Sequence, residues 1–224
     1  MLFTAQCHES KRGDTLFTVI MEKEDGQVLK KELDLPSFMH LLDTSKVVEE
    51  NYVALSRDMI PEGYIDGHFA SPLTYTCVWE VKGKVRQLVY DAKNADGKVK
   101  HYSLPFPDLV FALSVKGGVR QSFSCFAKKE GDTALFHYPF GNVSDSGGVC
   151  MGSIATKNVT PCQIEEDFFL GVTNNDYYTG MRRCGMEWSQ TRLFKELKGK
   201  DKYPDNWLVG AGTDLMELVN KFAK

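Results

Sequence analysis

Apolar and polar positions alternate from Leu73 to Val81, with Leu73, Tyr75, Cys77, Trp79 and Val81 set against Thr74, Thr76, Val78 and Glu80. A period of two predicts a half-buried strand. Lys82-Gly83-Lys84 supplies a turn, and Val85 to Tyr90 returns as the partner strand. Beyond Asn94-Ala95-Asp96-Gly97, Val99 to Leu104 makes a third, so the stretch reads as an antiparallel meander. Proline cannot donate to a ladder, so Pro105-Phe106-Pro107 interrupts it before Leu109 to Leu113 resumes an apolar strand. Gly117-Gly118 turns into Val119 to Ala127, read as the last strand of the sheet. Lys128-Lys129-Glu130-Gly131-Asp132 is then a solvated turn ahead of a short strand from Ala134 to Tyr138.

On the N-terminal side, β-branched and aromatic residues from Thr15 to Met21, an Asp25-Gly26 turn and Val28 to Leu35 predict a hairpin. Phe38, Leu41 and Leu42 follow Pro36 and Ser37 at helical spacing and predict a short helix ending near Thr44-Ser45. Lys46 to Pro72 reads mostly as loop, with Val53 and Leu55 as a candidate strand and turns at Pro61-Glu62-Gly63 and Asp66-Gly67. After residue 160 the period lengthens. Thr160-Pro161-Cys162-Gln163 has the capping-box pattern and predicts a helix from Pro161 to Leu170. Asn174-Asn175-Asp176 breaks it; Met186, Leu193, Phe194 and Leu197 predict an amphipathic helix ending at Lys198-Gly199. Leu215, Leu218, Val219 and Phe222 predict a C-terminal one. Strands first and helices last give an α+β class rather than a doubly wound sheet.

A chain of 224 residues that is 42% hydrophobic can bury a sizeable core, so one domain is expected over 1–224: an N-terminal hairpin and helix extension over 1–50, a core over 73–170 and C-terminal helices over 186–224. With 27 Lys+Arg against 30 Asp+Glu, the net charge of -3 offers no general attraction to nucleic acid or an anionic membrane. The N-terminus lacks the apolar run of a signal peptide and Leu109 to Val115 is too short to span a bilayer, so a soluble, cytoplasmic protein is expected. Cys7, Cys77, Cys125, Cys150, Cys162 and Cys184 form no C-x-x-C pair and read as free thiols. Phosphate-loop signatures are absent, as is any metal-type clustering of His8, His40, His68, His101 and His137; neither a cofactor nor a metal is expected.

Candidate chemistry gathers between Pro139 and Gly152, where Asn142 precedes Cys150 by eight positions across the glycine-rich Ser146-Gly147-Gly148. One reading makes Cys150 a nucleophile with Asn142 as a donor to developing negative charge. The other makes the segment a hairpin turn and Cys150 a small packing residue. His137 is a candidate general base for a Cys-His hydrolase, or simply the end of a strand. Between Pro139 and Ser153 there is no Lys, Arg or His, and Asp145 adds negative charge, so the local sequence does not activate the thiol. Such a thiol suits a carrier that receives an already activated acyl group and holds it as a thioester.

Asn142, Gly147, Val149, Cys150 and Met151 stand in the relative places of the ubiquitin-conjugating signature, His-Pro-Asn, a short loop, then Gly-x-[Ile/Val]-Cys-aliphatic; Phe140 and Gly141 replace the His and Pro. More closely, Tyr138 to Val143 with Val149 to Ser153 resembles the bacterial conjugating-enzyme-like family called protein B of the ParB-related, ThiF-related cassette (PRTRC), prokaryotic conjugating-enzyme family D. The resemblance implies a ubiquitin-conjugating-enzyme-like fold, an antiparallel β-meander with flanking helices and an N-terminal hairpin extension. It implies that Cys150 accepts a ubiquitin-like protein as a thioester and passes it to an amine with help from Asn142. The implied partners are a ThiF-type activating enzyme, a small ubiquitin-like protein and a JAB-type metallopeptidase of the same pathway. Members that keep the fold without the chemistry imply an alternative, a non-catalytic adaptor for a ubiquitin-like or plasmid-maintenance partner.

Overall fold

The computed structural model describes residues 2–9, 15–22, 28–44, 55, 57–92, 99–150, 152 and 157–222. The expected turns at 24–27 and 94–97 and the candidate strand residue Val53 lie outside them. The backbone divides into two compact units, 1–51 and 52–224.

In the first unit, β1 (Leu2–Glu9), β2 (Thr15–Glu22) and β3 (Val28–Asp34) form an antiparallel sheet in that order. The expected hairpin is β2 and β3; β1, whose Thr4, Ala5 and Cys7 carry little hydrophobic signal, extends it. Helix α1 (Leu35–Thr44) follows directly, capped by Asp34, whose Oδ1 accepts from Ser37 N–H (2.9 Å). Phe38 stacks on Phe17 of β2 with ring centroids 4.3 Å apart.

The second unit is α+β with mostly antiparallel sheets. Its six-stranded sheet runs β12-β10-β9-β8-β5-β4, formed by β4 (Tyr64–Ser71), β5 (Thr74–Val81), β8 (Asp108–Lys116), β9 (Val119–Lys128), β10 (Ala134–His137) and β12 (Gly210–Asp214). A separate three-stranded sheet, order β11-β6-β7, comprises β6 (Val85–Tyr90), β7 (Lys100–Pro105) and β11 (Val172–Thr173), with β11 parallel to β6. The strands of the expected meander therefore exist, and β6 pairs β7 and β8 pairs β9 antiparallel as sequence neighbours, but β5 does not pair β6. β5 lies between β4 and β8, while β6 starts the other sheet.

Burial explains the difference. β5 and β8 bury residues on both faces, so they take central places, and each needs two neighbours. Lys82–Lys84 is a crossing between sheets instead of a hairpin turn. Gly83 passes so close to the next crossing that an added Cβ would lie 2.6 Å from Phe106 O, and its N–H donates to Asp108 Oδ1 (2.7 Å). β9 is not the last strand, because β10 and the glycine-rich β12 continue the sheet. β4, within the stretch read as loop, pairs β5 from Tyr64 to Ser71 with register shifts that blur its alternation.

Helices cover both faces of the sheet. Alternate residues of β8, Leu109, Phe111, Leu113 and Val115, join the main core, whereas Val110 and Ala112 pack with Leu218, Val219 and Phe222 of α5 (Leu215–Phe222). Helix α2 (Pro161–Leu170) starts as expected: Thr160 Oγ1 accepts from Gln163 N–H (3.3 Å) with Pro161 in the first turn. It is tied to β5 by Trp79 Nε1–H donating to Glu165 Oε2 (2.9 Å) and to β8 by Phe168 set edge-on to Phe111 at 5.0 Å. Two further helices are α3 (Gly180–Cys184) and α4 (Gln190–Leu197), the latter burying Leu193, Phe194 and Leu197; Met186 precedes it. Among the described residues, no helix is long and apolar enough to cross a membrane.

Replacing Phe111 by Ala should cost about 3–5 kcal/mol, because it empties the centre of this aromatic cluster. Thr160→Ala removes only a cap and should cost about 1 kcal/mol. Denaturant unfolding of both variants checks the ranking.

Candidate active site

Past His137, β10 ends and its chain leaves β9. Residues 147–149 take up the vacated edge, with Cys125 N–H donating to Gly147 O and Val149 N–H to Phe123 O, both at 2.9 Å. The intervening segment is a small hairpin. Val143 bridges Val149, Ser144 N–H donates to Gly148 O (2.8 Å), and Cys150 N–H donates to Asn142 O (2.7 Å). Gly147, at φ +83°, is required twice: an L side chain is strained at that φ, and a Cβ would lie 2.2 Å from the Phe126 ring.

Asn142 and Cys150 thus sit side by side on opposite arms of one hairpin. Both line a cleft of about 530 Å³ whose other wall is the chain after α2, including Val172, Asn174 and Asp176. Cys150 is exposed, whereas Cys77, Cys125 and Cys184 are buried. Burial pushes the Cys77 thiol up to about 12 and that of Cys125 well above its ordinary value. Within this unit, Cys150 is the exposed thiol.

Asn142 is held on three sides. Its backbone, at φ 67°, donates to Asp176 O (2.9 Å). Its Nδ2 donates to Val172 O (2.7 Å) and its Oδ1 accepts from Asn174 N–H (3.0 Å). Those partners fix the amide's orientation, since a carbonyl must be met by the NH₂ and an N–H by the oxygen. The side chain therefore clamps the two walls together, and one N–H of Nδ2 is spent on that clamp.

Phe140, in the usual His position, is fully buried and meets Phe106 edge-on at 4.9 Å, with Phe194 and Tyr203 also around it. It anchors the loop by packing. Gly141, in the place of Pro, lies so close to the opposite wall that a Cβ would fall 1.9 Å from Asn174 O.

The local absence of cations is corrected by the fold. Arg182 and Arg183 of α3 both pair with Asp145, Arg183 Nη2 at 3.1 Å from Oδ1. Arg120 of β9 lies within electrostatic reach of Cys150, which opposes the lowering of the guanidinium's pKa by burial. His137 is not brought to the thiol's cleft. Its imidazole pKa is lowered, by burial first and then by Arg183, with Asp145 opposing. Among the described residues there is no group of His, Cys, Asp or Glu that could hold a metal.

The profile of prokaryotic E2 family D matches residues 43–209. The chain belongs to that family. The match takes in Asn142, Cys150 and both walls of the cleft. No match is found among curated proteins or among solved structures. Family D membership is membership of an E2-like, ubiquitin-conjugating-like group of prokaryotic proteins. What the sequence of this E2-like chain did not announce is Arg183. The Gly180-Met181-Arg182-Arg183-Cys184 run looks like solvated charge, and only the buried Gly180 and Cys184 on either side mark its inward face.

Gly147→Ala should destabilise the fold by about 1–3 kcal/mol from backbone strain alone, measured by urea unfolding. Because the folded-state pKa of His137 is depressed, the unfolded chain takes up the proton first, and stability should fall as pH drops below about 6.5. His137→Gln should flatten that part of the stability–pH curve.

Proposed function

We propose that this chain carries a ubiquitin-like protein as a thioester on Cys150 and transfers it to an amine. The observation that carries the reading is an exposed thiol, hydrogen-bonded through its backbone to Asn142, opening on a shared cleft in a chain of prokaryotic E2 family D. On this reading residues 73–170 form the conjugating-enzyme-like core.

The first step is exchange. The Cys150 thiolate attacks the modifier's C-terminal thioester on a ThiF-type activating enzyme; a C–S bond to Cys150 forms, the one to the donor breaks, and the donor leaves as thiolate. ATP is spent earlier, in making that donor. In the second step an amine nitrogen attacks the Cys150 thioester, its proton passes to solvent, the oxyanion collapses, and the Cys150 thiolate leaves as an amide forms. Asp167 and Asp176 stand in the cleft wall, and among the described residues its lining has no Lys, Arg or His, which favours approach of an amine that arrives protonated and gives that proton to solvent before it attacks. Asn142 has two N–H groups on Nδ2; with one given to Val172 O, the other is the proposed donor to the oxyanion. A JAB-type metallopeptidase would act on the modifier or its conjugates elsewhere in the pathway.

A second reading, an adaptor that binds the modifier without chemistry, draws on the same Asn142: a clamp between walls explains its contacts without an oxyanion. Incubation with the activating enzyme, modifier and ATP separates the two. The thioester reading expects an adduct cleaved by thiols, lost in Cys150→Ala and replaced by a thiol-resistant ester in Cys150→Ser. Asn142→Ala should slow discharge to an amine roughly a hundredfold. An adaptor gives no adduct and keeps partner binding in Cys150→Ala.

A further inference from the structure

We infer that Arg183 is the positioning residue of this site, holding both walls of the cleft in register in the absence of a histidine from the loop. The inference rests on the thioester reading for its consequence in catalysis, but its structural content stands separately.

Arg183 is fully buried on α3. Its Nη2 donates to Val143 O (2.6 Å), Tyr177 O (2.9 Å) and Asp145 Oδ1 (3.1 Å); Nε also reaches Tyr177 O (3.2 Å), and Nη1 reaches Tyr138 O (3.4 Å). Three of these acceptors belong to the hairpin carrying Asn142 and Cys150. The fourth, Tyr177, follows the cleft-wall residue Asp176. Val143 and Tyr177 directly follow the two residues joined by the Asn142 N–H to Asp176 O bond. One guanidinium therefore stands behind the contact that sets the distance between the walls.

The backbone supplies a second, independent observation. Asn142 (φ 67°) and Tyr177 (φ 61°) both occupy the left-handed region. Asn tolerates it; an aromatic residue is a genuine outlier there. Tyr177 is 58% exposed, so packing does little to hold that conformation. What holds it is its own carbonyl, gripped by Nε and Nη2 of Arg183. Burying a guanidinium is costly, and an apolar side chain would fill the space at lower cost. The planar fork is what a single residue needs to meet carbonyls on two segments at once, and the point charge of Lys cannot reproduce it.

Arg183→Lys tests this in two arms. In hydrogen exchange, the Cys150 and Asn142 amides should exchange about ten- to a hundredfold faster, the effect of losing charge-assisted hydrogen bonds. Amides of β8 and β9 should keep their rates. Adding Tyr177→Gly, which relieves the left-handed strain, should restore part of the lost protection. In single turnover, the Cys150 thioester of the modifier should form normally but discharge to free lysine with kcat lowered about a hundredfold and KM unchanged. Millimolar guanidinium ion should recover part of the rate in Arg183→Ala. Unchanged exchange at Cys150 and Asn142 would overturn the inference, as would protection lost equally in β8 and β9, the mark of a residue that only stabilises the fold. If the wild type forms no thioester with competent partners, the thioester reading fails, and the exchange arm still decides Arg183.

Discussion

Where β10 separates from β9, a strand edge is left with unpaired groups in the middle of a covered sheet, and a buried edge of that kind must be satisfied. Residues 147–149 satisfy it through the bonds of Gly147 O and Val149 N–H to β9. The site depends on this pairing. It forces the chain to reverse at Ser144–Gly147, which places Cys150 beside Asn142, and it presses Gly147 onto Phe126 so that no other residue fits. The thiol's exposure is thus a by-product of completing a sheet: the last residue bonded to β9 is Val149, and Cys150 is the first past that ladder.

The loop is fixed by two kinds of force that meet two residues apart. Phe140 is drawn into an aromatic core where it needs no polar partner, and Asn142, two residues on, is held entirely by hydrogen bonds. Apolar burial provides the anchor and tolerates small shifts; the hydrogen bonds provide direction and do not. With Phe140 in the usual position of the histidine, bracing of the loop is split between the core beneath it and Arg183 beside it.

Much of this was legible in the sequence where the signal is local. The α2 cap at Thr160, the turn glycines at 117 and 118, the hairpin at Gly147 and the Asn142–Cys150 pair each follow from residues a few positions apart. The partners of β5 were not, because Lys82-Gly83-Lys84 has the composition of a hairpin turn while Gly83 serves a close crossing with Phe106. β12 escaped because Gly210 to Asp214 has neither alternation nor apolar bulk; its place is set by neighbours. Arg183 and Arg120 could not be read from the chain near Cys150, since each reaches the loop from a distant element. The charge around a thiol is a property of the fold, and a window of sequence gives only part of it.

The clamp made by Asn142 also shapes how anything else can lie in the cleft. β11 is a two-residue edge strand, and Val172 O and Asn174 N–H are the groups that a further strand would pair with. The Asn142 amide occupies both, as a peptide group would. A stray strand cannot add there, which protects an edge that would otherwise invite aggregation. Equally, an extended tail entering the cleft cannot be read by β-augmentation along β11. Its recognition falls to side chains and to the shape of the opening, so the cleft admits its ligand by fit and charge and not by extending the sheet.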